Sequence, residues 1–486
     1  MERMRPPKPA RAGVFMVGLG AYWPQFAGLR ETLERHLRYA EERIAKLGAE
    51  VTSAGLIDTE PDARIAGGRL AAAGVDLVFC LVGTYATASL VLPVLQGAHA
   101  PAVVLNLQPV PAVDYATAGT AEWLAQSCTA LAMPEIANAC RRAGLGFRSI
   151  SGLLYPEHGP AAARAWQEIA AWIRAAAAVR ALREARLGFL GHTYPGMLDL
   201  YTDHTRLQAQ LGPHVQLLEV EDLTLRTRAA TTEQIAAKRM ELTERFQLLT
   251  PHEDDPISAP IEDGDLEWSA RVAVGLDGLV ADFDLDGIAF YHRGLDESER
   301  VITGMIPGMS LLTAAGVPCG GEGDIKTVAA MLLLERLDAA GCFSEIYGMD
   351  FNDGIVLLGH DGPTHLGAAE GRPQLRKLRV LHGKAGSALS IECRLRPGPA
   401  TALGLGEAAD GGFQLIAAQG TVEPGPALRI GNTNSRVRFP MDPAQFVDAW
   451  CQAGPTHHCA LGLGHQSELL QKAASLLGVP LVSVCA

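Results

Sequence analysis

The chain has 486 residues, 48% of them hydrophobic and 20% charged, with a net charge of −13. That length suits about three domains with large apolar cores. The acidic balance speaks against nucleic-acid binding, which needs a basic face. The nine scattered cysteines contain no C-x-x-C, so neither a zinc ribbon nor a thioredoxin motif is offered, and reduced thiols in a cytoplasm are expected.

The N-terminal MERMRPPKPARAG is basic, but the following VFMVGLGAYWP is broken by Pro too soon for a signal peptide. GVFMVGLG (13–20) reads as a strand, FAGLRETLERHLRYAEERIAKLG as a helix ending at Gly48, and EVTSAGLI as a second strand. A helix follows over 60–74, then VDLVFCLV and AVVLNL as further strands. Residues 77–98 are uncharged over about a membrane-spanning length. Their texture is instead that of a buried strand, a polar loop and a helix, so no membrane partner is expected. VGLGAY (17–22) lacks the third Gly of a dinucleotide fingerprint, and Tyr-Trp-Pro stands where a helix should begin, which makes a nicotinamide site a weak reading.

A long helix at 161–185 separates this unit from RLGFLG (186–191), which opens a second αβ unit. VQLLEVEDL reads there as a strand, 231–248 as an amphipathic helix and GIAFYH (287–292) as a strand. After about residue 340 the texture changes. IVLLGH, RVLHGK, ALSIECRL, ATALGLG, FQLIAAQG and ALRIGN are short apolar runs between turn-rich segments, the pattern of antiparallel β-structure. Helices return near 443–453 and 465–477. The fold expected is α/β: two doubly wound Rossmann-like αβ domains, 1–184 and 185–339, then an antiparallel, barrel-like β-rich domain with terminal helices, 340–486.

Three stretches carry chemistry. In GGEGDIKTVAAMLLLERL (320–337), glycines flank Glu322 and Asp324 can cap the helix from Ile325. In CFSEIYGMDFNDGIVLLGHDGPTH (342–365), Asp353-Gly354 signals a hairpin. With those two residues as the loop, Tyr347 faces His360 and Glu345 faces Gly362. Glu345 and His360 then lie diagonally on one face, about 7–8 Å apart. Asp350 falls on the other face, and a one-residue slip would reverse the choice, so it is kept as a reserve ligand. AGPTHHCALGLGH (453–465) adds the paired His457 and His458. Two carboxylates, a hairpin histidine and a loop histidine suit Mn²⁺ or a similar divalent ion. His365, His382 and His465 are read as structural or supporting residues.

These residues carry a resemblance. PGMSLLTAAGVPCGGEGDIKTVAAMLLL resembles the Gly-Glu-Gly-Asp-x-Lys-Thr segment of L-arabinose isomerases, within the L-arabinose and L-fucose isomerase superfamily. FSEIYGMDF…VLLGH is similar to that family's following hairpin, and AGPTHHCAL to its Gly-x-His-His-Thr segment. RLGFLGHTYPGMLDLYTDHTRLQAQLG and VVLNLQP resemble upstream segments more thinly. Carried over, the resemblance implies metal ligation by Glu322, Glu345, His360 and His458, with the two glutamates as the catalytic acid/base pair. Substrate contacts would be His457, Met197 and Gln108. The implied activity is metal-dependent aldose–ketose interconversion through a cis-enediolate, with Mn²⁺, on a small sugar, in a cytoplasmic homo-oligomer of hexameric type. The chain departs from the family at GLGAYWPQF, at Gly-His-Asp-Gly-Pro after the hairpin, and at Cys459 in place of Thr, which leaves the sugar open. Another enediolate reaction on a sugar derivative, epimerisation or aldol cleavage, is the nearest alternative, followed by a non-catalytic sugar-binding protein.

Overall fold

The computed structural model describes residues 8–251, 255–293, 297–379 and 388–485, with backbone alone for 297–299. Contacts divide the chain into two compact units, Lys8–Arg180 and the residues from Ala181 onward. His382 and most of RVLHGK lie outside the described residues.

In the first unit, runs of β-branched and apolar residues form strands β1 (Arg11–Val17), β2 (Glu50–Ile57), β3 (Leu77–Val82), β4 (Ala102–Gln108) and β5 (Ser149–Leu153). They pair in parallel in the order β2-β1-β3-β4-β5. β3 is buried at every position, as a central strand covered on both faces must be. The uncharged stretch 77–98 is this strand, a loop and the short helix Leu92–Ala98. Among the described residues no helix is long and apolar enough to cross a membrane.

The second unit contains β6 (Arg186–Gly191), β7 (His214–Leu218), β8 (Gln247–Leu248), β9 (Ser258–Ala259), β10 (Gly287–Tyr291), β11 (Cys319–Gly320), β12 (Cys342–Asp350), β13 (Ile355–His360), β14 (Gln374–Leu378), β15 (Ala388–Glu392), β16 (Gly398–Glu407), β17 (Phe413–Val422), β18 (Thr433–Arg438), β19 (His458–Leu463) and β20 (Leu481–Cys485). A parallel sheet runs β11-β10-β6-β7. VQLLEVEDL is only half strand. β7 stops at Leu218, and Glu219 starts the helix Val220–Ala229, its N–H donating to Asp222 Oδ2 at 3.0 Å.

The antiparallel ladder β16-β19-β12-β13-β18-β17 closes on itself through pairing of β16 with β17, and β20 adds in parallel to β17. Closure removes free edges. The helix Ile325–Arg336 is buried from Ile325 to Glu335 and packs against both β10 of the parallel sheet and β19 of the barrel. A helix buried all round needs a largely apolar surface, which VAAMLLL supplies, while its buried Lys326 and Thr327 are hydrogen-bonded.

Two local expectations fail. The β12–β13 hairpin closes on Asp350 opposite Ile355, so its loop is Phe351–Gly354 and not Asp353-Gly354 alone. Asp350 Oδ1 accepts from the N–H groups of Asn352 and Asp353, both at 3.0 Å, which favours the longer turn. Glu345 consequently pairs with Gly359 rather than Gly362, and Tyr347 is the extra residue of a β-bulge between Ile346 and Gly348. ALRIGN is an irregular loop, and the strand begins after it, at Thr433.

That loop is held by a small sheet in which β14 pairs with β15, β8 and β9. Arg376 of β14, 4% exposed, bonds Asp255, Ser258 and Glu392. Glu392 Oε2 also accepts from Gly431 N–H at 3.0 Å, and Ser390 Oγ donates to Gly431 O at 2.6 Å. Replacing Arg376 by Leu strands two carboxylates in a buried place. Unfolding free energy should fall by about 3–5 kcal/mol in urea denaturation, and a loss under about 1 kcal/mol would show that the cluster does not hold this region.

Candidate functional site

The segment between β11 and the buried helix places Glu322 with φ +59°, left-handed backbone that a side-chain-bearing residue seldom adopts. Such a position costs about 1–3 kcal/mol and persists only where neighbours enforce it. Tyr194 N–H donates to Glu322 O at 2.9 Å, and Gly323 N–H to Phe290 O at 2.9 Å. Gly323 (φ +72°) admits no side chain, since a Cβ there would lie 2.6 Å from His192 O and 2.7 Å from Thr193 Cα. Asp324 then caps the helix, its Oδ1 accepting from Thr327 N–H at 3.0 Å and its Oδ2 from Thr327 Oγ1 at 2.7 Å.

The same Oδ2 accepts from His458 Nδ1 at 3.0 Å, and both side chains are completely buried. With Nδ1 committed, Nε2 of His458 is the free ring nitrogen. It lies 3.4 Å from Glu322 Oε2, yet neither atom has a hydrogen bond of ordinary geometry. A buried carboxylate oxygen and a buried imidazole nitrogen facing each other in this way fit a metal ion, and the carboxylate behind the imidazole is the usual support for a metal-bound histidine.

The barrel brings the remaining donors. In the ladder Glu345 stands between Gly359 of β13 and His458 of β19. His360 ends β13, 4% exposed, with its ring centroid 5.0 Å from that of His458. Phe343, fully buried, packs under both rings at 4.7 and 4.4 Å. The donors form two overlapping groups that could hold a metal, Glu322–His457–His458 and Glu345–His360–His458. The four residues chosen as ligands from sequence thus gather around His458, and His457 joins Glu322 beside them.

The two glutamates sit in unlike fields. Burial pushes both carboxyls up. At Glu322 the close imidazoles of His457 and His458, with the charge of His360, more than offset this, and its carboxyl ends well below the ordinary range. At Glu345 burial prevails over the His458 and His457 charges, helped by Glu322 and Asp361, and its carboxyl titrates above the ordinary range. Burial would depress His458, but Asp324 and Glu322 raise it to about 9. A metal ion would have to displace that proton.

Sequence reasoning missed Asp199. Its Oδ2 accepts from both the N–H and Nδ1 of His457, each at 2.8 Å, leaving His457 Nε2 3.5 Å from Glu322 Oε2. The Asp199 carbonyl accepts from Lys326 Nζ at 2.7 Å, and that ammonium also meets Glu407 Oε1 at 3.0 Å. The only sequence signal was position, two residues after Met197. Met197 lines a cavity of about 530 Å³ together with Glu322, Glu345, His360, Asp361 and Tyr347. Gln108 belongs to the first unit, where its Nε2 donates to Val110 O at 2.5 Å. Asp350, the reserve ligand, is spent on its turn and on Arg436, 3.5 Å away. His365 accepts from Gly367 N–H and faces Glu335 at 3.2 Å, and His465 bonds Gly420 O.

No family model matches the chain. The L-arabinose isomerase of Acidothermus cellulolyticus is 24% identical over 330 residues, 65% of this chain and 64% of its own. That of Anoxybacillus flavithermus is 24% identical over 347 residues, 65% of this chain and 63% of its own. The chain therefore spans slightly less than two thirds of the length of the curated relatives it matches. Among solved structures, a periplasmic solute binding protein of an ABC transporter from Actinobacillus succinogenes, with bound D-allose, matches at 12% identity over 63% of this chain and 88% of its own, with a TM-score of 0.17, too low to bear on the fold. The curated matches support a distant arabinose isomerase-like relationship.

Proposed function

We propose that the chain is a metal-dependent aldose–ketose isomerase acting on a small sugar in the cytoplasm as a homo-oligomer. The observation that carries this reading is the pair of carboxylates, Glu322 and Glu345, gathered with His360 around His458 at one cavity. The names of the distant relatives point the same way.

Isomerisation moves a proton from C2 to C1 of an aldose and a hydroxyl proton from O2 to O1. The C2–H is a weak acid, so a poised base and acid are both needed. Glu322 and Glu345 are the carboxylates placed to carry that proton from C2 to C1, and in the reverse direction from C1 to C2. His457, 35% exposed, has Nδ1 donating to Asp199, and Asp199 and Glu322 favour its imidazolium against the effect of burial; in that form Nε2 can donate to a substrate oxygen. Glu322, Glu345, His360 and His458 would hold the ion, most simply Mn²⁺. When bound, such an ion polarises the carbonyl and stabilises negative charge on the two neighbouring oxygens.

Two measurements follow. With Mn²⁺ in D₂O and a panel of aldoses that includes L-arabinose, proton NMR should show deuterium entering C1 of a ketose or C2 of an aldose. Glu322→Gln and Glu345→Gln should each slow that exchange by about 10²–10⁴-fold with circular dichroism unchanged. Near-wild-type exchange in both variants would overturn the assignment. Separately, Asp324→Asn keeps an N-cap but removes the charge behind His458, and calorimetric Mn²⁺ affinity should weaken by about 10–100-fold. An unchanged affinity would mean that His458 is not a ligand.

A further inference from the structure

Part of the cavity does no chemistry in the reaction above. Asn432, 4% exposed, donates from Nδ2 to the Tyr347 hydroxyl at 2.9 Å. Its Oδ1 is buried and accepts no hydrogen bond from the described residues, and Asn432 lines the same cavity. Tyr347 accepts from Asn432, so its own O–H proton is left to donate.

The unmet carbonyl does not come from a slack loop. Gly431 is bonded at both N–H and C=O by Glu392 and Ser390. Leu428 is bonded at both by the side chain of Asn434, at 2.8 and 3.0 Å. Gly431 (φ +80°) is wedged so tightly that a Cβ would meet Leu378 at 2.6 Å. A buried polar atom held this firmly without a partner has its partner elsewhere.

The adjoining acceptor and donor specify the chemistry of that partner. A hydroxyl gives its proton to Asn432 Oδ1 and takes one from Tyr347 O–H. A phosphate or carboxylate cannot do the first. It would also face three carboxylates in a cavity whose described lining contains no Lys or Arg. Tyr347 stands two residues beyond Glu345 on β12, about 6–7 Å along the strand, so the hydroxyl lies past the reacting carbons.

We propose that Asn432 and Tyr347 together bind one hydroxyl of an uncharged polyol substrate, remote from the carbons that exchange protons. The name of the reaction rests on the isomerase reading, whereas the contact itself does not. The test is calorimetric titration of the full chain with Mn²⁺ against unreactive alditols: L-arabinitol, ribitol, galactitol and monodeoxy L-arabinitols, with D-arabinose 5-phosphate as an anionic arm. At least one alditol should bind, and Asn432→Leu and Tyr347→Phe should each weaken it by about 10–100-fold while Mn²⁺ affinity stays put. One monodeoxy alditol should bind the wild type as weakly as the parent binds Asn432→Leu, and should lose nothing further in that variant, a coupling that mere structural damage would not produce.

Binding within twofold of wild type in both variants would overturn the proposal. So would the absence of alditol binding at millimolar concentration, or a preference for the phosphorylated sugar. If alditols bind through Asn432 while no aldose exchanges deuterium, the contact stands and the isomerase reading fails.

Discussion

The hydrogen bond from His458 to Asp324 is the constraint on which the rest of the site depends. Both side chains are wholly removed from water. A buried carboxylate is tolerable only when its oxygens are satisfied, and Asp324 meets Thr327 twice and His458 once. One residue therefore ends the loop after β11, starts the buried helix, and ties that helix to β19 of the barrel. Losing one partner of such a pair costs about 3–5 kcal/mol, because the other is left charged and dry. The same bond decides which ring nitrogen of His458 is exposed to Glu322, so that helix capping and ligand orientation are one interaction.

With His458 fixed, the position of Glu322 follows from backbone. Its left-handed φ turns the side chain at a point where the chain has no spare length, and the carbonyl is taken up by Tyr194. Gly323 is then obligatory, because the His192–Thr193 backbone occupies the space of a Cβ. The barrel contributes with equal rigidity. Glu345 sits in a ladder with a strand on each side, and Phe343 fills the space beneath His360 and His458. Donors mounted on closed ladders and a buried helix move little, which is what precise placement of charge requires.

Much of this was legible in the residues. Glycines around Glu322, a capping Asp324, alternation in 342–350 and the paired histidines each have a local physical cause, and each stands where that cause puts it. What was not legible depended on side chains acting as backbone. Asp350 lengthens the hairpin loop by bonding two amides, and no propensity rule distinguishes that turn from a two-residue one in FNDG. The longer loop moves the pairing by two, which leaves the faces unchanged, and the bulge at Tyr347 moves it by one more, so Glu345 pairs with Gly359; its carboxylate reaches His360 because His360 stands at the very end of β13. Asp199 was invisible for a different reason. It meets His457 across 258 residues, a contact that no sequence spacing encodes. ALRIGN failed as a strand because its carbonyls and amides are met by Asn434, Glu392 and Ser390 side chains instead of a neighbouring strand.

This last failure shows what the small sheet around β14 does. An ion cluster such as Arg376 with Asp255 and Glu392 is a poor way to gain stability, since apolar packing of the same volume would often serve as well. Its advantage is direction. The Glu392 Oε2 that Arg376 holds also accepts from Gly431, one residue before Asn432. The residue that precedes Asn432 is thus fixed at both its N–H and its C=O from β15, and Arg376 of β14 orients the carboxylate that does so.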